Sequence, residues 1–145
     1  MSWAKLLADK RVTRARPSKV ELDNLRSIVA RSLKDVTAAG LSADSRFIMA
    51  YDAARTLSPI IVRTAGYRPR SVGGHYNTFL ALEAAEPGFA SLSAYFDGCR
   101  MKRNDCEYGF AGGVSDTDAD GLLKTVRQFA VDAEAWVKTH HPHLA

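Results

Sequence analysis

The sequence predicts an all-α fold, an antiparallel up-and-down bundle of four to five helices. Three observations predict it. Apolar residues recur at three- and four-residue steps along most of the chain. Cap-forming residues stand just ahead of the main runs. No segment of convincing length alternates apolar and polar residues as a half-buried strand would.

The first 17 residues read as a basic arm or short helix ended by Pro17. Ser18 and Glu21 then have the spacing of a capping box. Val20, Leu22, Leu25, Ile28, Val29, Leu33 and Val36 follow with helical period, and Gly40 is suited to close that helix. Ser42 caps the next, whose stripe runs through Phe47, Ile48, Tyr51, Ala54, Leu57, Ile61 and Ala65. Pro59 should bend or break it near Leu57. "YRPRSVGGH" reads as a loop by its proline and paired glycines. A short helix from about His75 to Ala85 comes next, then an "EPG" corner, then a helix from about Phe89 to Glu107 or Tyr108. One of Ser115, Asp116, Thr117 and Asp118 should cap the last helix, which Pro142 stops. Three segments result: a basic N-terminal arm over residues 1–17, the bundle over 18–139, and a frayed tail over 140–145.

A chain of 145 residues is long enough to bury a core as one domain. With 46% hydrophobic and 25% charged residues, it is globular rather than disordered. No apolar run approaches the roughly 20 residues that span a bilayer, and the N-terminus has no signal-peptide core. A cytoplasmic location is expected, and no membrane partner. Cys99 and Cys106 stand two helical turns apart, about 10 Å along the axis. That is too far for a disulfide, and no Cys/His pair nearby completes a zinc set. Neither a metal nor a cofactor is expected. Much of the +4 net charge comes from Lys5, Lys10, Arg11, Arg14, Arg16 and Lys19. Such a run is suited to phosphates, though a basic arm is more often simply solvated.

Between Leu92 and Phe110, Leu92, Tyr95, Phe96, Cys99, Cys106 and Phe110 share one side of a helical wheel, and Arg103 falls among them. Arg100 and Glu107 flank that side, with Asn104 and Tyr108 further round. A lone charge cannot be left in a dry core. Arg103 therefore pairs with a carboxylate (Asp52, Glu83 or Glu107), sits at a wet cleft, or lies at a subunit interface. Its forked guanidinium suits a phosphate. Arg46, Arg68 and Arg70 offer further positive charge. Tyr51 reads as core, and Asp52 beside it as exposed by default.

The stretch "RMKRNDCEYG" resembles the motif of the HEPN superfamily (higher eukaryote and prokaryote nucleotide-binding domain), an Arg-x(4–6)-His motif late in a helical bundle. Asn104 matches the polar residue that often follows the Arg. Leu41 to Leu82, with its A-Y-x-A-A helix, G-Y-R loop and following His-Tyr, resembles a small bacterial branch of that superfamily, as does the segment from Val114 to Val137. The resemblance implies a helical bundle that often dimerises with both motifs near a shared cleft. It implies that Arg103 holds a phosphate, and that Asp52 is a cleft member facing it. Catalytic members are metal-independent endoribonucleases, in which the His assists attack by the ribose 2′-OH. Others have lost catalysis and serve as binding modules. Many bacterial members belong to toxin–antitoxin or defence systems, often beside a nucleotidyltransferase.

The chain departs from the motif where the His belongs: Tyr108 stands there. A phenol titrates near 10 and is a poor base at neutral pH. The favoured expectation is therefore a non-catalytic domain that binds a nucleotide, an RNA or a partner protein through Arg100, Arg103, Asn104, Glu107, Tyr108 and Asp52. It would act as a homodimer or beside a nucleotidyltransferase or a toxin or antitoxin partner. One alternative is an endoribonuclease using Arg103 with Tyr108 or His75, although a His at a helix start more often faces solvent or caps the helix. The other is an interaction protein in which Arg103 forms a structural ion pair. His140, His141 and His143 fall in the tail.

Overall fold

The computed structural model describes residues 1–108 and 112–145; the side chains of Glu107 and Tyr108 lie outside that description. The chain is an all-α helical bundle with one small ribbon. Its elements are α1 (Trp3–Ala8), β1 (Val12–Arg14), α2 (Lys19–Asp35), α3 (Ala43–Thr64), β2 (Tyr67–Pro69), α4 (Gly74–Ala85), α5 (Ala90–Tyr108) and α6 (Asp116–His140). Short 3₁₀ turns cover Pro87–Phe89 and Pro142–Leu144.

Helix α3 is the hub, packing against α2, α4, α5, α6 and β2. Its residues 50, 51, 53, 54, 57, 60, 61 and 62 are all buried, so nearly its whole circumference is core. An aromatic chain crosses the bundle: Tyr51 to Phe79 at 6.2 Å, Phe79 to Phe96 at 5.8 Å, Phe96 to Phe129 at 5.5 Å and Phe129 to Phe89 at 5.4 Å between ring centroids. These spacings suit tilted and edge-on aromatic pairs. They tie α3, α4, α5 and α6 together and leave Tyr51 at one end of the chain. Cys99 is buried beside them, its thiol pushed up to about 11 by burial, and it is not bonded to Cys106.

Pro59 does not break α3, which runs without interruption to Thr64. A proline inside a helix costs about 3 kcal/mol. Leu57, Ser58, Ile60, Ile61 and Val62 are all buried around it, and that burial outweighs the cost. Helix α2 stops at Asp35, short of Gly40, because its last turn tightens: the Thr37 hydroxyl donates to the Lys34 carbonyl at 2.7 Å, and the Ala38 amide to Asp35 at 3.1 Å. Ser18 accepts the Glu21 amide as a cap should, at 3.2 Å, but the Glu21 carboxylate turns to Arg63 on α3. The full capping box is at α6, between Ser115 and Asp118.

The two ends of the chain depart from expectation. The first 17 residues contain a short helix, one of the two expected forms, but it ends at Ala8 rather than at Pro17, and the segment is packed on the bundle rather than set apart from it. Strand β1 pairs antiparallel with β2, Val12 opposite Pro69 and Arg14 opposite Tyr67. Leu6 and Val12 are buried against Val62 and Ala81 in a second small core. Trp3 stacks on Tyr67 with centroids 3.8 Å apart. Three-residue strands are too short to show alternation, so the loop expected over "YRP" is instead one side of a ribbon. The tail is not frayed either. Leu144 is 4% exposed within the main core, and its carbonyl accepts Arg26 Nη2 at 2.8 Å. No helix among the described residues is long and apolar enough to cross a membrane.

Candidate functional site

The site forms where the start of α4 meets the middle of α3 and the second half of α5. Asn77, 1% exposed, fixes the approach to α4. Its amide donates to the Arg70 and Val72 carbonyls at 3.2 and 2.8 Å, and its oxygen accepts Arg11 Nη1 at 3.1 Å. Gly73 then turns the chain into α4 with φ of +71°, a conformation glycine adopts without strain. No side chain caps α4, so the positive end of its dipole is open to a ligand.

His75 is half-buried in the first turn of α4, and its Nδ1 shares a hydrogen bond of 2.9 Å with the Tyr51 hydroxyl. It does not face bulk solvent and does not cap the helix. Burial lowers its pKa from 6.5, and Arg55, Arg103 and Arg100 lower it further, so the site favours the neutral ring. Burial raises the Tyr51 phenol well above its ordinary value against the pull of the same three arginines. Tyr51 therefore belongs to the core, as expected, and also presents its hydroxyl to the site.

Arg103 lies on α5 with 18% of its side chain exposed. Of the three acids the sequence offered, Asp52 stands 3.8 Å from Arg103 Nη2. The Arg103 guanidinium carbon also lies 5.8 Å from the centre of the Tyr51 ring, within reach of a cation–π attraction. Asp52 is thus turned toward α5 rather than lost to solvent. Arg55, which the sequence reading missed, shares Asp52 at 3.8 Å. It stands three residues after Asp52, and that spacing is the signal that could have found it.

Arg100 donates to Asp97 at 2.8 Å and lies 5.9 Å from the Tyr76 ring centre. His75, Tyr76, Arg100 and Asn104 line one cavity of about 230 Å³ with Gly73 and Gly74 at its edge. The structure therefore brings together Asp52, His75, Arg100, Arg103 and Asn104. The side chains of Glu107 and Tyr108, and Phe110, lie outside the described residues. Arg46 is not part of this site: it pairs with Asp116 and Asp120 on α6. Nor is Arg68, which pairs with Glu21 at 3.1 Å. Among the described residues no cluster of three or more His, Cys, Asp or Glu side chains is placed to hold a metal ion.

Fold and site together define a helical-bundle domain with an arginine-rich cleft late in the chain. A family model described as SAV_6107-like HEPN matches residues 37–134, more than half of the chain. The chain belongs to this HEPN family. No curated protein and no solved structure matches it.

Proposed function

We propose that the chain is a non-catalytic HEPN domain that binds the phosphate of a nucleotide or an RNA in the cleft between α4 and α5. One observation carries this reading: the uncapped start of α4 and the side chains of His75, Arg100 and Asn104 line the same cavity. Helix dipole, guanidinium and amide all favour an anion there. Arg103 adds charge from the next turn of α5. When the Tyr51 hydroxyl donates to His75 Nδ1, the neutral ring carries its proton on Nε2 and can only donate, which suits holding a phosphate.

Calorimetry with adenosine monophosphate and with pyrophosphate tests this reading. Arg100→Ala should weaken binding by about 10- to 100-fold, the range of a hydrogen bond to a charged group. Absence of binding, or binding indifferent to Arg100 and Asn104, would overturn the proposal.

The Tyr51–His75 contact also supports a second reading. If Nδ1–H donates to the phenol oxygen, Nε2 becomes a free base beside three arginines, as an endoribonuclease would need. RNA cleavage in EDTA, lost in both His75→Ala and Arg103→Ala, would select it.

The same proposal extends to assembly, as a homodimer or beside a partner protein in a toxin–antitoxin or defence-type system. On α5, Met101 is 60% and Tyr95 40% exposed. A Cβ placed on Gly98 of that helix would meet nothing within 4 Å. A mid-helix glycine costs about 1 kcal/mol relative to alanine, and close approach of a second copy would offset that cost. Sedimentation at micromolar concentration should show a dimer, and a strict monomer would count against it.

A further inference from the structure

We propose that the chain holds single-stranded RNA along a track that begins at the α4–α5 cleft and continues over the N-terminal ribbon. The near end of the track rests on the phosphate-binding reading above; the far end does not.

The charge distribution is the first support. Residues 1–17 hold five bases and one acid, which supplies the whole +4; the other 15 bases and 15 acids cancel. The fold does not neutralise this segment. Asp9 is engaged by Lys5 at 3.1 Å, and Glu21 by Arg63 and Arg68. Among the described residues, Lys10, Arg14, Arg16 and Arg70 are exposed and pair with no carboxylate. The ribbon gathers them. Arg14 lies opposite Tyr67 in register, and the Arg70 amide donates to the Arg11 carbonyl at 2.8 Å.

The second support is the link between ribbon and cleft. Tyr76, 41% exposed, has the Arg11 guanidinium carbon 5.3 Å from its ring centre and that of Arg100 at 5.9 Å. One aromatic ring thus joins a base of the arm to a base of the cleft. Beyond it, Tyr67 carries Arg14 at 5.6 Å and is stacked on Trp3. Arg14, Arg16, Gly66 and Tyr67 line an open hollow of about 500 Å³. Cations alternating with aromatic faces match a single strand, whose phosphates and unpaired bases alternate in the same way. A lipid surface or an acidic protein would use the charge without calling for cations and rings to alternate along one line.

Fluorescence anisotropy with labelled oligouridylates of one, four and twelve nucleotides tests the track, with duplex RNA of equal length and phosphatidylserine vesicles as competitors. The dodecamer should bind at least about tenfold tighter than the tetramer, with strong salt dependence. The triple variant Arg14→Gln, Arg16→Gln, Arg70→Gln should lower the log–log salt slope by about 2, at roughly 0.7 per lost phosphate contact, and leave the mononucleotide unaffected. Tyr76→Leu should weaken the dodecamer about fivefold or more, the lower range for one stacked base. A control triple, Arg31→Gln, Lys34→Gln, Lys138→Gln, removes the same charge elsewhere and should leave the slope unchanged. Equal affinity for tetramer and dodecamer overturns the track while leaving the cleft reading intact. So does equal response to the two triples, or a stronger competitor in duplex or vesicles. Ribbon-dependent dodecamer binding without mononucleotide binding sinks the cleft reading and with it the near end of the track, and supports the ribbon end alone.

Discussion

Glu21→Gln is expected to destabilise the fold by about 3 kcal/mol, more than Arg63→Met does. Arg63 is 4% exposed near the end of α3, and its Nε and Nη2 both donate to the Glu21 carboxylate, Nε at 2.8 Å. Glu21 lies in the first turn of α2 with a third of its side chain exposed, and Arg68 of β2 reaches it as well. The two partners are therefore not equivalent. Removing the acid strands a buried cation, the costly case. Removing Arg63 leaves a carboxylate that water and Arg68 still serve, at a cost of about 1 kcal/mol. Thermal melts should show Glu21→Gln lower by about 6–12 °C at 2–4 °C per kcal/mol, with Arg63→Met much closer to wild type. Equal losses, or the reverse order, would defeat this argument.

The same pair gives a pH dependence of known sign. The hydrogen bond from Arg63 lowers the Glu21 pKa from 4.5 against burial, and the charges of Arg63 and Arg68 lower it further. A depressed carboxyl pKa stabilises the fold fully above the unfolded value, and that contribution is lost as pH falls through the folded one. The gap between wild type and Glu21→Gln should therefore be constant above about pH 4.5 and close below it.

Much of this architecture was legible in the sequence because helices are written locally. Ser18 and Ser42 accept the cap bonds that their positions predict, and Ser115, one of four candidates, caps α6. Arg103 on an apolar stripe called for a carboxylate, a wet cleft or an interface because that misfit is visible on one helix, and Asp52, one of the three acids named, stands 3.8 Å from it. What stayed hidden depends on partners distant in sequence. The Glu21 carboxylate leaves its own cap for Arg63, 42 residues away. His75 reads as a surface residue until Tyr51, 24 residues earlier, is placed against it. The ribbon needs β1 and β2 together, since neither strand has enough residues to show a period. Leu144 reads as part of a loose end because the core it enters lies between other helices.

Tyr108→His is expected to raise ribonuclease activity by about 10²–10⁴-fold over the wild type, the range of general acid–base help. Tyr108 is the last residue of α5, four residues after Asn104 and five after Arg103. It occupies the position at which the resemblance implies a histidine. RNA cleavage through the ribose hydroxyl needs a proton removed from the 2′-oxygen as it attacks phosphorus, and a proton delivered to the departing 5′-oxygen. A phenol near 10 is almost wholly protonated at pH 7 and removes nothing, whereas an imidazole near 6.5 exchanges protons in both directions. On the reading proposed above, the Arg103 guanidinium would hold the attacked phosphate, so Tyr108→His combined with Arg103→Ala should lose the gain. His75→Ala in the Tyr108→His background should retain most of it, because the new imidazole carries the proton. Efficient cleavage by the wild type in EDTA would defeat the prediction at its base, since the site would then already hold a working acid or base, and His75 would be the first residue to mutate.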